Sequence, residues 1–177
     1  MGTLKTVNIG ENIRLIFGKL GREQKVFFGG PPYSEEINRE IRNNQQYQLN
    51  GLPNRQRICV GTYVLNQSGD IVGYQASTAM ESASITGYEK TYLDLVGPVN
   101  YVQLKKILVD PDYFGKGVSD KLLGDSMDMA NAHDKDWVVD VNSNNVRMLH
   151  FLNKHSVSKR FEWKTRKDTL MYRLGKD

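Results

Sequence analysis

Between Val102 and His133 the hydrophobic period changes, and that change limits the folds open to the chain. Val102, Leu104, Ile107, Leu108 and Val109 crowd apolar side chains around Lys105 and Lys106, the density of a buried strand. Asp110-Pro111-Asp112 stops it, because proline brings no N–H to a ladder and fixes its own φ. After Gly115-Lys116-Gly117 the apolar residues recur at Val118, Leu122, Leu123, Met127 and Ala130, a spacing that builds one face of a helix. The expected order is strand, glycine turn, helix.

Such a unit can hold an anion. The first N–H groups of a helix have no intrahelical partner and lie at the positive end of its dipole. Two glycines let the backbone approach a ligand in conformations closed to other residues. A phosphate or pyrophosphate suits such a place; the plainer alternative is a turn that needs its glycines for geometry alone. The third glycine of a dinucleotide fingerprint is missing, since Asp120 stands there. Downstream, Asp136 to Val141 reads as the next buried strand, so the unit closes as βαβ with a parallel pair.

Leu108 to Leu123 (LVDPDYFGKGVSDKLL) resembles the acetyl-CoA motif of the GCN5-related N-acetyltransferases. In that family Val-x-Pro precedes Arg/Gln-x-x-Gly-x-Gly/Ala and a helix with paired leucines. Val109, Pro111, Gly117, Leu122 and Leu123 match in register, while Phe114 stands for Arg/Gln and Ser119 for the final Gly/Ala. A second likeness follows, where Asn145 takes the place of the family asparagine that precedes a helix. There Met148 replaces Ala, Leu152 replaces Tyr, and Ser156-Val157 replaces Gly-Phe. The resemblance runs over residues 58–174.

The resemblance implies an α/β fold in one domain over 1–177: a mixed central sheet of six to seven strands, about four helices, and a splayed parallel pair. It implies acetyl-CoA as co-substrate with no metal, and acyl transfer to a small-molecule or protein amine. Pantetheine would lie between Leu104–Val109 and Trp137–Val141. The cofactor would meet Leu108, Val109, Phe114, Gly115, Lys116, Gly117, Val118, Ser119 and Asn145. Direct attack by an amine asks for a base and an acid. Glu81 is the base expected by position, ahead of Glu89 and Asp94. His155 is the expected acid, since Leu152 cannot donate a proton and His155 shares its helix face, with His150 also nearby. A homodimer is allowed; neither a membrane nor a nucleic acid is expected as partner.

The other segments are read more coarsely. Val7-Asn8-Ile9 suggests a first strand, and Asn12 to Leu20 a helix. Ser34 looks like an N-cap ahead of a short helix that ends in Asn43-Asn44-Gln45-Gln46. Ile58–Leu65 and Ile71–Thr78 form a hairpin through Gln67-Ser68-Gly69-Asp70. Thr91 to Val96 is a third strand or part of a long loop. A helix follows from Val146 to His155, and Phe161–Trp163 with Leu170–Leu174 make a closing hairpin.

Composition bounds the alternatives. With 39% hydrophobic and 25% charged residues, the chain is an ordinary globular one. No apolar run nears the ~20 residues of a membrane span, and no signal-peptide layout opens the chain, so a cytoplasmic protein is expected. A single cysteine, Cys59, excludes an internal disulfide. Residues 154–177 hold eight Lys/Arg against three acids, a net +5 within a total of +4. That basic tail is read as the solvated face of a hairpin. The competing function is a domain of this fold that has lost catalysis and binds an acidic partner or nucleic acid through the tail.

Overall fold

The computed structural model describes residues 9–28, 34–50, 58–81, 100–165 and 168–176. Helices α1 (Ile9–Lys19), α2 (Arg22–Lys25) and α3 (Ser34–Asn50) precede strands β1 (Ile58–Leu65), β2 (Ile71–Glu81) and β3 (Asn100–Val109). A 3₁₀ turn (Pro111–Tyr113) leads to α4 (Val118–Ala132) and β4 (Asp136–Asn142). Then come α5 (Val146–Asn153), β5 (Val157–Lys164) and β6 (Leu170–Lys176). Six strands form one mixed sheet in the order β1-β2-β3-β4-β6-β5, with five α-helices among the described residues.

The expected parallel pair is β3 with β4, in register from Tyr101↔Asp136 to Leu104↔Val139. Both strands run on past that ladder, to Val109 and Asn142. β6 pairs antiparallel with β4 on one side and with β5 on the other, so the closing hairpin is inserted by its second strand.

Two readings at the N-terminal end are corrected. Ile9 begins α1 and is no strand residue; it packs against the core that Ile13, Ile16 and Leu20 help to build, and that amphipathic face decides the conformation. The helix expected to end at Asn43–Gln46 continues to Asn50, since a polar run at the helix surface does not stop the backbone ladder. Residues 91–96, read as a strand or loop, lie outside the described residues, as do Val7 and Asn8.

The described chain falls into two compact units, taken here one at a time. The first draws on Met1–Gly51, Cys59–Ala76 and Lys106–Asp125; the second on Leu52–Ile58, Ser77–Lys105 and Ser126–Asp177. In the first, Ile13, Ile16, Leu20, Ile37 and Ile41 of α1 and α3 pack on Ile71, Tyr74, Ala76 and Leu108. A smaller cluster joins Val72, Val109, Val118 and Leu122. Gly73 permits that approach of α4: a Cβ there would stand 2.5 Å from Val118 Cγ1 and 2.9 Å from Leu122 Cδ1.

In the second unit a buried polar thread crosses the core. Trp137 Nε1 donates to Ser126 Oγ at 2.8 Å, and Ser126 Oγ meets Ser77 Oγ at 2.7 Å. Arg173 is buried and forks onto Asp140, Nε to Oδ1 at 2.6 Å and Nη2 to Oδ2 at 2.7 Å. Its Nη1 donates to Tyr101 at 3.0 Å, and Gln103 Nε2 donates to Asp140 Oδ2 at 2.5 Å. The rings of Tyr101, Phe161 and Trp163 stand 5.0–5.8 Å from the guanidinium. A buried charge is tolerable only when it is paired and hydrogen-bonded, and here it is both.

Candidate functional site

The turn between β3 and α4 belongs wholly to the first unit and is built by its own side chains. Leu108 and Val109 bury their side chains in different clusters, as alternation along a strand requires. What remains to meet a ligand is their backbone. Asp110 N donates to Val72 O at 2.9 Å, which carries contact with β2 one residue past the strand. Asp110 then caps the 3₁₀ turn, its carboxylate accepting from Asp112 N at 3.0 Å. Pro111 occupies the start of that turn, where its missing N–H costs nothing.

Lys19, at the end of α1, clamps the same turn. Its ammonium donates to Asp110 Oδ2 and to Asp112 Oδ2, each at 2.7 Å. The hydrogen bond from Lys19 holds the Asp112 carboxyl below the usual range, and Asp110 and Asp112 together push the Lys19 ammonium upward. Sequence reading missed this residue, because a Lys in a helix says nothing about a partner so far along the chain. Tyr113 ties the turn to the β1–β2 hairpin, accepting from Asn66 Nδ2 at 3.0 Å.

Gly115 and Gly117 both take left-handed backbone, with φ of 76° and 78°. A Cβ on either would meet no atom within 4 Å. Steric crowding by the protein is thus no reason for these glycines; their backbone conformation is. Lys121 N donates to Gly117 O at 3.0 Å, which is the first rung of α4. The N–H groups of Val118 and Ser119 precede that rung and point ahead of the helix, at the positive end of its dipole. Lys116 places its ammonium 4.8 Å from the centre of the Tyr113 ring. Phe114 is exposed, whereas Val118 is buried and anchors the helix. The left-handed glycines, the first N–H groups of α4 and the exposed Lys116 together offer a chemistry that suits an anion.

The remaining expected site residues belong to the second unit. Glu81 is the last residue of β2, and its side chain lies outside the described residues, as do Glu89 and Asp94 entirely. Asn145 is the N-cap of α5, its side chain accepting from Met148 N at 3.2 Å. Leu152 is 0% exposed and therefore a core residue. His155 lies just past α5 and sets its ring edge-on to Phe151, with centroids 4.9 Å apart. Ser156, read from the sequence as replacing a glycine of the resembled family, has φ of 56°, a left-handed conformation that glycine suits better.

Four of the eight basic residues of the tail are paired with acids among the described residues, Arg173 with Asp140 being one pair. Lys159 pairs with Glu162, Arg160 with Asp136 and Lys164 with Asp168, each at 3.0 Å, while Arg173 is buried. Among the described residues no group of three or more His, Cys, Asp or Glu is placed to hold a metal ion. No described helix is long and apolar enough to cross a membrane.

No protein-family model and no curated protein sequence matches the chain, but solved structures do. The NatC complex bound to Gag peptide and CoA matches at 12% identity over 96% of this chain and 90% of that one, with a TM-score of 0.60. The ribosomal-protein-S18-alanine N-acetyltransferase of Escherichia coli matches at 13% identity over 94% and 85%, with a TM-score of 0.55. Naa20 of Chaetomium thermophilum, in complex with a bisubstrate analogue, matches at 16% identity over 64% of this chain, with a TM-score of 0.53. Of the Naa20 chain, the match spans 63%. With the parallel β3–β4 pair and the glycine turn ahead of α4 in place, this chain has the fold of the GCN5-related N-acetyltransferases.

Proposed function

We propose that the chain is an acyl-CoA-dependent N-acyltransferase that passes an acetyl group from acetyl-CoA to an amine by direct transfer. The observation that carries this reading is the turn itself: two left-handed glycines immediately ahead of the first rung of α4. The residues fit the group. The side-chain directions at Gly115 and Gly117 are open, so the backbone there can lie against a pyrophosphate. The N–H groups of Val118 and Ser119 face the same anion, and Lys116 brings a compensating charge.

When bound, acetyl-CoA supplies a thioester, an acyl group that a neutral amine can attack. The chain's own residues orient it and move protons. The backbone of Leu108 and Val109 guides the pantetheine arm, and Phe114 covers it with an exposed ring. Asn145 contributes by fixing the start of α5, since its side-chain oxygen is already engaged there. Glu81 takes the proton of the incoming ammonium. His155 returns one to the leaving thiolate, a task for which an imidazole N–H is a suitable donor. General acid catalysis of this kind is worth ~10²–10⁴-fold, so loss of His155 lowers turnover without abolishing binding.

The test is a time course of free CoA with a panel of small amines and peptides, against a no-enzyme control. Release above the control that disappears in Gly117→Glu supports the reading. Binding of acetyl-CoA with no release across the panel leaves a cofactor-binding module. No binding at all removes the cofactor claim.

A further inference from the structure

On the charges of its own segment, the glycine turn ahead of α4 is a poor place for an anion. From Asp110 to Lys121 the chain carries three aspartates against two lysines, and Lys121 is already turned to Asp125 at 3.0 Å. Asp110 and Asp112 lead directly into the two left-handed glycines. Left unpaired, their carboxylates would repel a phosphate held on the first N–H groups of α4.

Lys19 removes that conflict from outside the segment. Its one ammonium bridges both carboxylates, meeting Asp110 Oδ2 and Asp112 Oδ2 at 2.7 Å each. The side chain of Asp110 is 9% exposed and that of Asp112 71%, so the bridge ties a buried group to a solvated one. From Asp110 the grip passes along the turn by hydrogen bonds. Asp112 N donates to Asp110 Oδ1 at 3.0 Å, and Tyr113 N donates to Asp110 O at 2.8 Å. Phe114 N then donates to Pro111 O at 3.2 Å, and Lys116 N to Tyr113 O at 3.3 Å. The backbone that reaches Gly117 is therefore anchored at the carboxylate that Lys19 holds.

We propose that Lys19 is a positioning residue for an anionic cofactor: by joining Asp110 to Asp112 it cancels their charge and sets the turn on which the phosphates rest. The inference rests on the acyl-CoA reading of the turn. It adds that α1, which supplies no residue to the resembled motif, sets how tightly the cofactor is held. Lys19 acts through the two aspartates that engage its ammonium, not as a ligand of the phosphates.

Isothermal titration of acetyl-CoA into the full chain tests it, with each variant kept well below its melting midpoint. Lys19→Met should bind roughly 5–10-fold more weakly than wild type, the low end of the usual coupling between a ligand and a group it does not meet. Lys19→Arg, which keeps the charge and can span two carboxylates, should bind nearly as wild type does. Asp112→Asn added to Lys19→Met should regain part of the loss, because it removes a carboxylate that Lys19 had cancelled. The gap between wild type and Lys19→Met should also narrow as salt rises. A lysine that served stability alone would give neither the regain nor the salt effect. Equal affinity in wild type and Lys19→Met overturns this inference alone. So does an arginine variant as weak as the methionine one, or a loss that Asp112→Asn leaves unchanged. A wild-type chain that binds no acetyl-CoA overturns both the inference and the reading beneath it.

Discussion

Lys19 Nζ and Asp110 Oδ2 lie 2.7 Å apart although 91 positions separate the two residues. Asp110 stands between the valine and proline of the acetyl-CoA-like motif, so a helix outside that motif braces the turn inside it. Asp110 is buried and Lys19 half-exposed; the buried partner gives the contact its definition. Lys19 also reaches Asp112, which is exposed, and an exposed pair of that kind contributes little by itself.

This brace predicts a titration. Lys19 holds the Asp112 carboxyl below its ordinary 3.8 through a hydrogen bond. The stability from that pair is present above pH 3.8 and is lost as pH falls through the lowered value. In Lys19→Met, the Asp112 carboxyl followed by carbon NMR should titrate close to 3.8 again. An unchanged midpoint would show that the ion pair is not formed in solution.

Gly117 predicts a ligand effect. If the turn holds acetyl-CoA as proposed, the ligand at 100 times its Kd should stabilise the chain by ~2.7 kcal/mol, as any ligand of the native state alone does. Gly117→Glu adds a carboxylate to the cradle and forces a residue with a Cβ into φ of 78°. The thermal shift should vanish, and the unliganded variant should lose about 1–2 kcal/mol from backbone strain.

Ser156 predicts a gain. It is held at φ of 56° just past α5, where glycine pays no Cβ penalty. Ser156→Gly should stabilise the chain by roughly 0.5–1 kcal/mol, less the extra freedom glycine gives the unfolded state. Denaturant unfolding at constant m-value measures it, and a loss of stability would mean that the serine hydroxyl has a partner worth more than the strain.

Arg173 predicts a large loss. Replacing it by Met leaves Asp140 without its fork of two hydrogen bonds and opens space among Tyr101, Phe161 and Trp163. Removing one partner of a buried ion pair costs ~3–5 kcal/mol, and Arg173→Lys should recover only part of that, because an ammonium cannot fork. Equilibrium unfolding of the two variants gives the comparison.

His155 and Leu152 predict opposite kinds of change. His155→Ala should slow CoA release in the time course and leave the acetyl-CoA thermal shift intact. Leu152→Tyr, which restores the family residue, should instead destabilise by ~1–3 kcal/mol, because the site is fully buried and a larger side chain overpacks it. A Leu152→Tyr chain that is as stable as wild type and faster would reverse the reading of Leu152 as core.

From the sequence alone came the strand, glycine turn and helix around Gly115 and Gly117, the parallel pairing that the βαβ order requires, and the hairpin at residues 67–70. Each of these rests on local chemistry: a hydrophobic period, a proline that ends a strand, a glycine where φ must be positive. Contacts that join distant segments were not legible in that way. Lys19 on Asp110 and Arg173 on Asp140 pair residues whose separations carry no pattern. Ile9 entered a helix where a short β-branched run had suggested a strand, since packing against a core outweighs a three-residue preference. Leu152 turned from a missing acid into a core side chain once its burial was known. Burial and charge pairing belong to the folded chain as a whole, because they depend on which surfaces meet, and only the tertiary structure decides that.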